Sequence, residues 1–190
     1  MIRSLFNLLF RNNFQCVVPG KVYRSGQLPS AVMLKALRAH KIRSVIDLRR
    51  NAGRMDKSGC TEKDLVNHAG AAYFQVKLNA KKIPCRAKVE ELLHVFDKAE
   101  VPVLIHCSSG THRTGVSAAL WLLEQEKLPF EKASQQLSLR FGYFWPERMW
   151  KTLLSPIPTI DYLLWNYSTF VSEHPVSQQT VSFREWLASM

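Results

Sequence analysis

Hydrophobic positions along the chain follow two alternating periods. Short apolar, β-branched runs at residues 22–24, 44–48, 73–78 and 101–105 predict strands. Between them the spacing becomes helical. Val32, Met33, Ala36 and Leu37 recur three and four apart over residues 30–40, with Ser30 as the expected N-cap. Val89, Leu92, Leu93 and Phe96 do the same over residues 85–99. Further helices are expected over residues 116–124 and 129–139. Beyond Pro156 and Pro158, Ile160, Leu163, Leu164, Tyr167, Phe170 and Val171 again keep helical spacing. Strands separated by helices specify an α/β fold: a mostly parallel central sheet of about four to five strands with helices on both faces. Ligands of such sheets bind beyond the carboxyl ends of the strands.

The termini read differently. Residues 1–13 predict an amphipathic segment, with Ile2, Leu5, Phe6 and Leu9 opposed by Arg3 and Asn7. It would pack on the body of the protein or make a peripheral contact with an anionic membrane through residues 1–10. Residues 14–150 form the expected main domain, and residues 151–190 a helical extension docked on it. Phe183, Trp186 and Leu187 would join that docking or meet a membrane or partner. No run approaches the roughly 20 apolar residues that span a bilayer.

Composition narrows the partners. The 190 residues are 46% hydrophobic, enough for one domain with a modest extension. Lys and Arg number 26 against 15 Asp and Glu, a net charge of +11, so anionic partners are expected. Nucleic acid is not expected among them. Cys16, Cys60, Cys85 and Cys107 lack the spacing of a disulfide framework or zinc site, so neither metal nor cofactor is expected. Reduced thiols suit the cytoplasm, with membrane association through the first ten residues as an addition. Cys85 is expected to be a packed thiol.

The chemistry gathers at residues 106–115, His-Cys-Ser-Ser-Gly-Thr-His-Arg-Thr-Gly, between the fourth predicted strand and a helix. Successive amides of Ser108, Ser109, Gly110 and Thr111 can curl around a phosphate. The helix N-terminus adds unpaired N–H groups and a positive dipole end, which also favour a thiolate at Cys107. Arg113 can hold two phosphoryl oxygens with its planar fork. The Thr114 hydroxyl can donate to the sulfur.

This stretch resembles the signature of the cysteine-based protein tyrosine phosphatases, in their compact atypical dual-specificity branch. The resemblance extends to Gly-Lys-Val-Tyr-Arg-Ser-Gly-Gln-Leu-Pro at residues 20–29 and Ser-Val-Ile-Asp-Leu-Arg at 44–49. It reaches Gln-Leu-Ser-Leu-Arg-Phe-Gly-Tyr at 136–143, and so covers roughly residues 14–145. It implies phosphomonoester hydrolysis through a cysteinyl-phosphate on Cys107, and a supporting role for a buried His106. On this reading residues 14–150 are a phosphatase domain.

One family feature is missing. Most members carry an aspartic acid on the loop that here is residues 78–87, which holds no Asp or Glu; Asp97 falls near the far end of a helix. His112 is the candidate replacement, as an imidazole titrating near ~6.5 can both give and take a proton. Its place in the loop resembles the plant and fungal members that act on inositol pyrophosphates. Two basic segments, Arg49, Arg50 and Arg54, and Lys77, Lys81, Lys82 and Arg86, are expected on the same edge as Cys107. They favour an anionic lipid or inositol phosphate, against a phosphotyrosine protein as the other substrate class. The alternative from another class is a catalytically weak phosphate-reading module.

Overall fold

The computed structural model describes residues 12–53, 55, 59–143, 160–173 and 182–189. Residues 1–11 of the expected amphipathic segment, with its membrane contact, and Arg54, Pro156 and Pro158 lie outside the described residues. Five strands form one sheet: β1 (Gln15–Val18), β2 (Val22–Ser25), β3 (Ser44–Asp47), β4 (Ala72–Gln75) and β5 (Val103–His106). Their order is β1-β2-β5-β3-β4, and all neighbours are parallel except β1 with β2.

Alternation along the strands divides the interior into two layers. Tyr23, Val45 and Leu104 face α1 (Ser30–Ala39) and α2 (Glu62–His68), packing with Val32, Met33, Ala36, Leu37, Leu65 and Val66. Val22, Ile46, Val103 and Ile105 belong to the opposite layer, with α3 (Arg86–Lys98) and α4 (His112–Glu124). The short α5 (Phe130–Ala133), α6 (Tyr162–Glu173) and α7 (Phe183–Ser189) complete the elements. Ile160, Leu163, Leu164, Tyr167, Phe183, Trp186 and Leu187 are buried in that second layer. The α/β architecture is thus the one the periodicity predicts, with every core position named for α1 and α3 buried.

Several local expectations change. Ser30 does not cap α1; Pro29 does, in the extended conformation a proline favours, its carbonyl accepting from Val32 and Met33 at 2.8 and 2.9 Å. The helix expected over residues 129–139 stops after α5 and continues as 3₁₀ turns at Ser134–Gln136 and Leu139–Phe141. Leu137 leaves helical geometry at φ −107°, ψ 59°, and Gly142 closes the second turn at φ 73°. Two elements have no counterpart in the periodic reading. One is the edge strand β1, with an irregular register between Cys16 and Val18. The other is α2, opened by a capping box between Thr61 and Asp64. Among the described residues no helix is long and apolar enough to cross a membrane.

Candidate active site

Register brings four strand ends to one level. Ser25 of β2 and Asp47 of β3 both pair with His106 of β5, and Gln75 of β4 pairs with Asp47. The segments leaving these strands therefore open on one edge of the sheet. The loop at residues 107–111 sits at its centre, feeding directly into α4.

Cys107 is 1% exposed at the floor of this loop, and its sulfur accepts from the Gly110 amide at 3.3 Å. Burial pushes the thiol up. The Thr114 hydroxyl, the Arg113 guanidinium and the Gly110 and Thr114 amides outweigh it and hold the thiol below its ordinary value. No side chain caps α4, which leaves the His112 and Arg113 amides of its first turn as donors for a ligand oxygen. The Arg113 fork is tethered by Nη1 to the Leu48 carbonyl at 3.4 Å and by Nη2 to the Ser108 hydroxyl at 3.2 Å. Such a site can hold a dianion above a thiolate.

The loop is braced from below. Gly110 has φ +74°, and a Cβ there would come 2.5 Å from the Gly26 nitrogen, so only glycine fits. Its carbonyl accepts from Arg24 Nη2 at 2.7 Å and from Asn13 Nδ2 at 3.0 Å. Gln27 donates to the Ser108 carbonyl at 3.0 Å. The Tyr-Arg-Ser-Gly-Gln run after β2 begins is therefore part of the site. Its signal in the sequence is an arginine inside a run that reads as a strand, and the structure buries all four residues of β2.

The last strand residues carry a second array. His106, fully buried, places Nε2 2.7 Å from Glu62 Oε1 and 3.9 Å from Asp47 Oδ1. Arg49 forms a two-pronged pair with Asp47 and reaches Glu62 at 2.9 Å, while the Tyr73 hydroxyl donates to Asp47 at 2.7 Å. Asp47, Glu62 and His106 lie close enough to share a metal ion, but Arg49 already supplies positive charge to both carboxylates. Burial would lower the His106 imidazole; Glu62 and Asp47 instead raise it above its ordinary value. A group raised on folding adds stability below its unfolded pKa of ~6.5 and loses it as pH climbs through the folded value. Glu62→Gln is expected to cost on the order of 3 kcal/mol at about pH 6. Denaturation across a pH series should show the deficit shrinking as His106 deprotonates; a pH-independent deficit would remove His106 from the pairing.

A family model described as the tyrosine phosphatase family matches residues 3–125, well over half of the chain. The chain belongs to this family. It is a cysteine-dependent phosphatase, and the match starts earlier and ends sooner than the 14–145 span that the motifs outline. Its fold is similar to that of P. aeruginosa TpbA, at 22% identity over 69% of this chain and 76% of that one, TM-score 0.52. A DUF442-type phosphatase of Shewanella putrefaciens CN-32 matches at 25% identity over 66% of this chain and 80% of its own, TM-score 0.53. The core catalytic domain of the PP-IP phosphatase SIW14 from S. cerevisiae matches at 19% identity over 76% and 93%, TM-score 0.52. A cysteine-to-serine form of TpbA, in complex with pTyr, matches at 21% identity over 68% and 75%, TM-score 0.52.

The remaining candidate residues of the phosphatase divide clearly. His112 opens α4, half-buried, with its ring edge-on to Tyr143 at 5.2 Å. Its Nδ1 is buried without a hydrogen-bond partner. Among the described residues no carboxylate is hydrogen-bonded or ion-paired to Cys107, His112 or Arg113. Asp97 lies near the end of α3, paired with Arg184. Lys77, Lys81 and Lys82 are exposed on the segment leaving β4, on the active-site edge. Arg49 is a correction: it is buried between Asp47 and Glu62, so it serves the framework rather than the substrate. Cys85 is a second correction, an exposed thiol at the start of α3 instead of a packed one. The sequence reading missed Arg24, Asn13 and Glu62, which act from far along the chain.

Proposed function

We propose that this phosphatase hydrolyses phosphomonoesters through a cysteinyl-phosphate on Cys107, acting on an anionic inositol phosphate or phosphorylated lipid headgroup. The observation that carries the reading is a buried thiol held low by Thr114, Arg113 and the Gly110 amide at the mouth of α4. The thiolate attacks phosphorus as the ester P–O bond breaks, and the leaving oxygen takes a proton. Water then attacks the phosphocysteine, releasing phosphate and returning the thiolate. Amides of Ser108, Ser109, Gly110 and Thr111 with the Arg113 fork would hold the equatorial oxygens. Thr114 would stabilise the departing sulfur, and His112 would give and then take the proton.

The exposed lysines of the 77–82 segment and the net charge of +11 support a substrate with charge beyond the reacting phosphate. The second reading, a phosphotyrosine protein, is favoured by the pTyr complex of TpbA. Free thiols suit a cytoplasmic setting, where residues 1–10 could bring the protein to an anionic membrane. Phosphate release across phosphopeptides, phosphoinositides and soluble inositol phosphates tests this. Preference for the inositol and lipid classes is expected; efficient turnover of phosphotyrosine peptides alone would reverse the order. Turnover of none would favour a phosphate-reading module.

Two substitutions refine the reading. Lys81→Ala with Lys82→Ala should raise KM for a multiply phosphorylated substrate more than for a small aryl phosphate, most clearly at low salt. Equal effects would detach these lysines from substrate binding. His112→Ala should slow alkyl phosphates by about 10²–10⁴-fold and p-nitrophenyl phosphate far less, since a p-nitrophenolate needs little help from a proton. The same loss on both would make His112 a loop-shaping residue.

A further inference from the structure

Two arginines are buried at the active-site edge, and they are treated in opposite ways. Arg49 has two carboxylates. Arg24, 0% exposed, has none among the described residues: its bonds go to the Gln136 carbonyl at 2.8 Å, the Gln136 side-chain oxygen at 2.9 Å and the Gly110 carbonyl at 2.7 Å. Its guanidinium lies 4.1 Å from the centre of the Phe141 ring, and its Nε has no hydrogen-bond partner. A buried charge without a counter-charge is costly, and arginine does not escape by losing its proton. Burial pulls the guanidinium down only to about 10, and the opposing influence is the Cys107 sulfur.

We propose that Arg24 is a positioning residue of the phosphatase: it pins the Gly110 carbonyl beneath the loop and stands as a fixed counter-charge to the Cys107 thiolate. The inference rests on Cys107 being the thiolate of the proposed reaction. The surroundings suit the role. Arg113 of α4 and the Thr114 hydroxyl also act on the sulfur, both holding the thiol low. His106 of β5 has its own counter-charges in Glu62 and Asp47. On the Arg24 side the neighbours are Gln136, Phe141 with Arg140 on the same ring, and Gly115. A Cβ at Gly115 would meet the Leu137 side chain at 2.6 Å and the Gln136 carbonyl at 3.0 Å, so α4 must pass closely over the turn that anchors Arg24. Among the described residues no carboxylate bonds to Arg24, and Gly110, whose carbonyl it holds, donates its amide to the Cys107 sulfur at 3.3 Å.

The test is the pH dependence of Cys107 alkylation by iodoacetamide, read by mass spectrometry of its peptide so that the other thiols do not contribute. The wild-type midpoint should lie below ~8.5. In Arg24→Met it should rise by about half a unit or more, roughly threefold less thiolate at a fixed pH below both midpoints. Arg24→Lys should keep a midpoint near wild type, yet be inhibited several-fold less well by inorganic phosphate, having lost the bond to Gly110. An unchanged midpoint in a folded Arg24→Met variant would overturn the proposal and leave the phosphatase reading standing. An ordinary midpoint in the wild type would overturn both. Should the variants not fold, the Arg24 Nε–H resonance of the wild type decides: it must titrate with the Cys107 midpoint and lose that titration in Cys107→Ser. A resonance that does not move would equally overturn the role.

Discussion

Cys107→Ser is expected to lower turnover by on the order of 10⁴-fold or more, the scale on which enzymes lose activity with their nucleophile, while substrate binding stays close to wild type. A serine hydroxyl cannot ionise near neutrality, so the groups that hold the thiol low have nothing to act on. The binding parts are kept, because Arg24 and Asn13 hold the Gly110 carbonyl, Leu48 and Ser108 hold the Arg113 fork, and a serine oxygen can still accept from the Gly110 amide. Cys107 is buried and serine is slightly smaller, so the packing change is minor. Calorimetry on the serine variant should give a dissociation constant near that of the wild type, and stopped assays should show almost no phosphate release. Retention of even a tenth of the rate would rule out a covalent route through Cys107.

Arg113→Lys is expected to cost about 10²–10³-fold in kcat, comparable to losing a main donor from an oxyanion site. The fork is held at two points, Leu48 and Ser108, and its Nε has no hydrogen-bond partner in the loop. A lysine keeps the charge but has one nitrogen, which cannot be tethered and also grip two phosphoryl oxygens. The two roles of Arg113 should therefore separate. The alkylation midpoint of Cys107 should stay low in the lysine variant, because it depends on charge, while kcat falls, because it depends on geometry. Near-normal kcat in Arg113→Lys would remove the bidentate grip from the mechanism.

What the sequence made legible was local. A strand, a small-residue loop and a helix follow one another within residues 103–124, so Cys107, Arg113 and Thr114 read as one unit without any tertiary contact. Core faces of α1 and α3 were legible for the same reason, since helical spacing is written in consecutive turns. The misses are non-local or short. β1 offers four residues at a sheet edge, too few for alternation to stand out. α2 buries only Leu65 and Val66, and its capping box lies in a polar stretch. After Pro129 apolar spacing continues through Leu137, while the backbone leaves helical geometry there. Arg49 and Arg24 show the deeper limit: a sequence gives the charge, and only the fold says whether a carboxylate, a carbonyl or a thiolate faces it.

On the proposed route the phosphoryl group passes through the Cys107 sulfur. The direct measurement is a rapid acid quench of the wild-type phosphatase during turnover, followed by peptide mapping for covalently bound phosphate. Phosphate is expected on the peptide that carries Cys107, formed as fast as the leaving group is released and absent from the Cys107→Ser variant. Undiminished turnover with no phosphate on Cys107, or with phosphate on another residue, would contradict it.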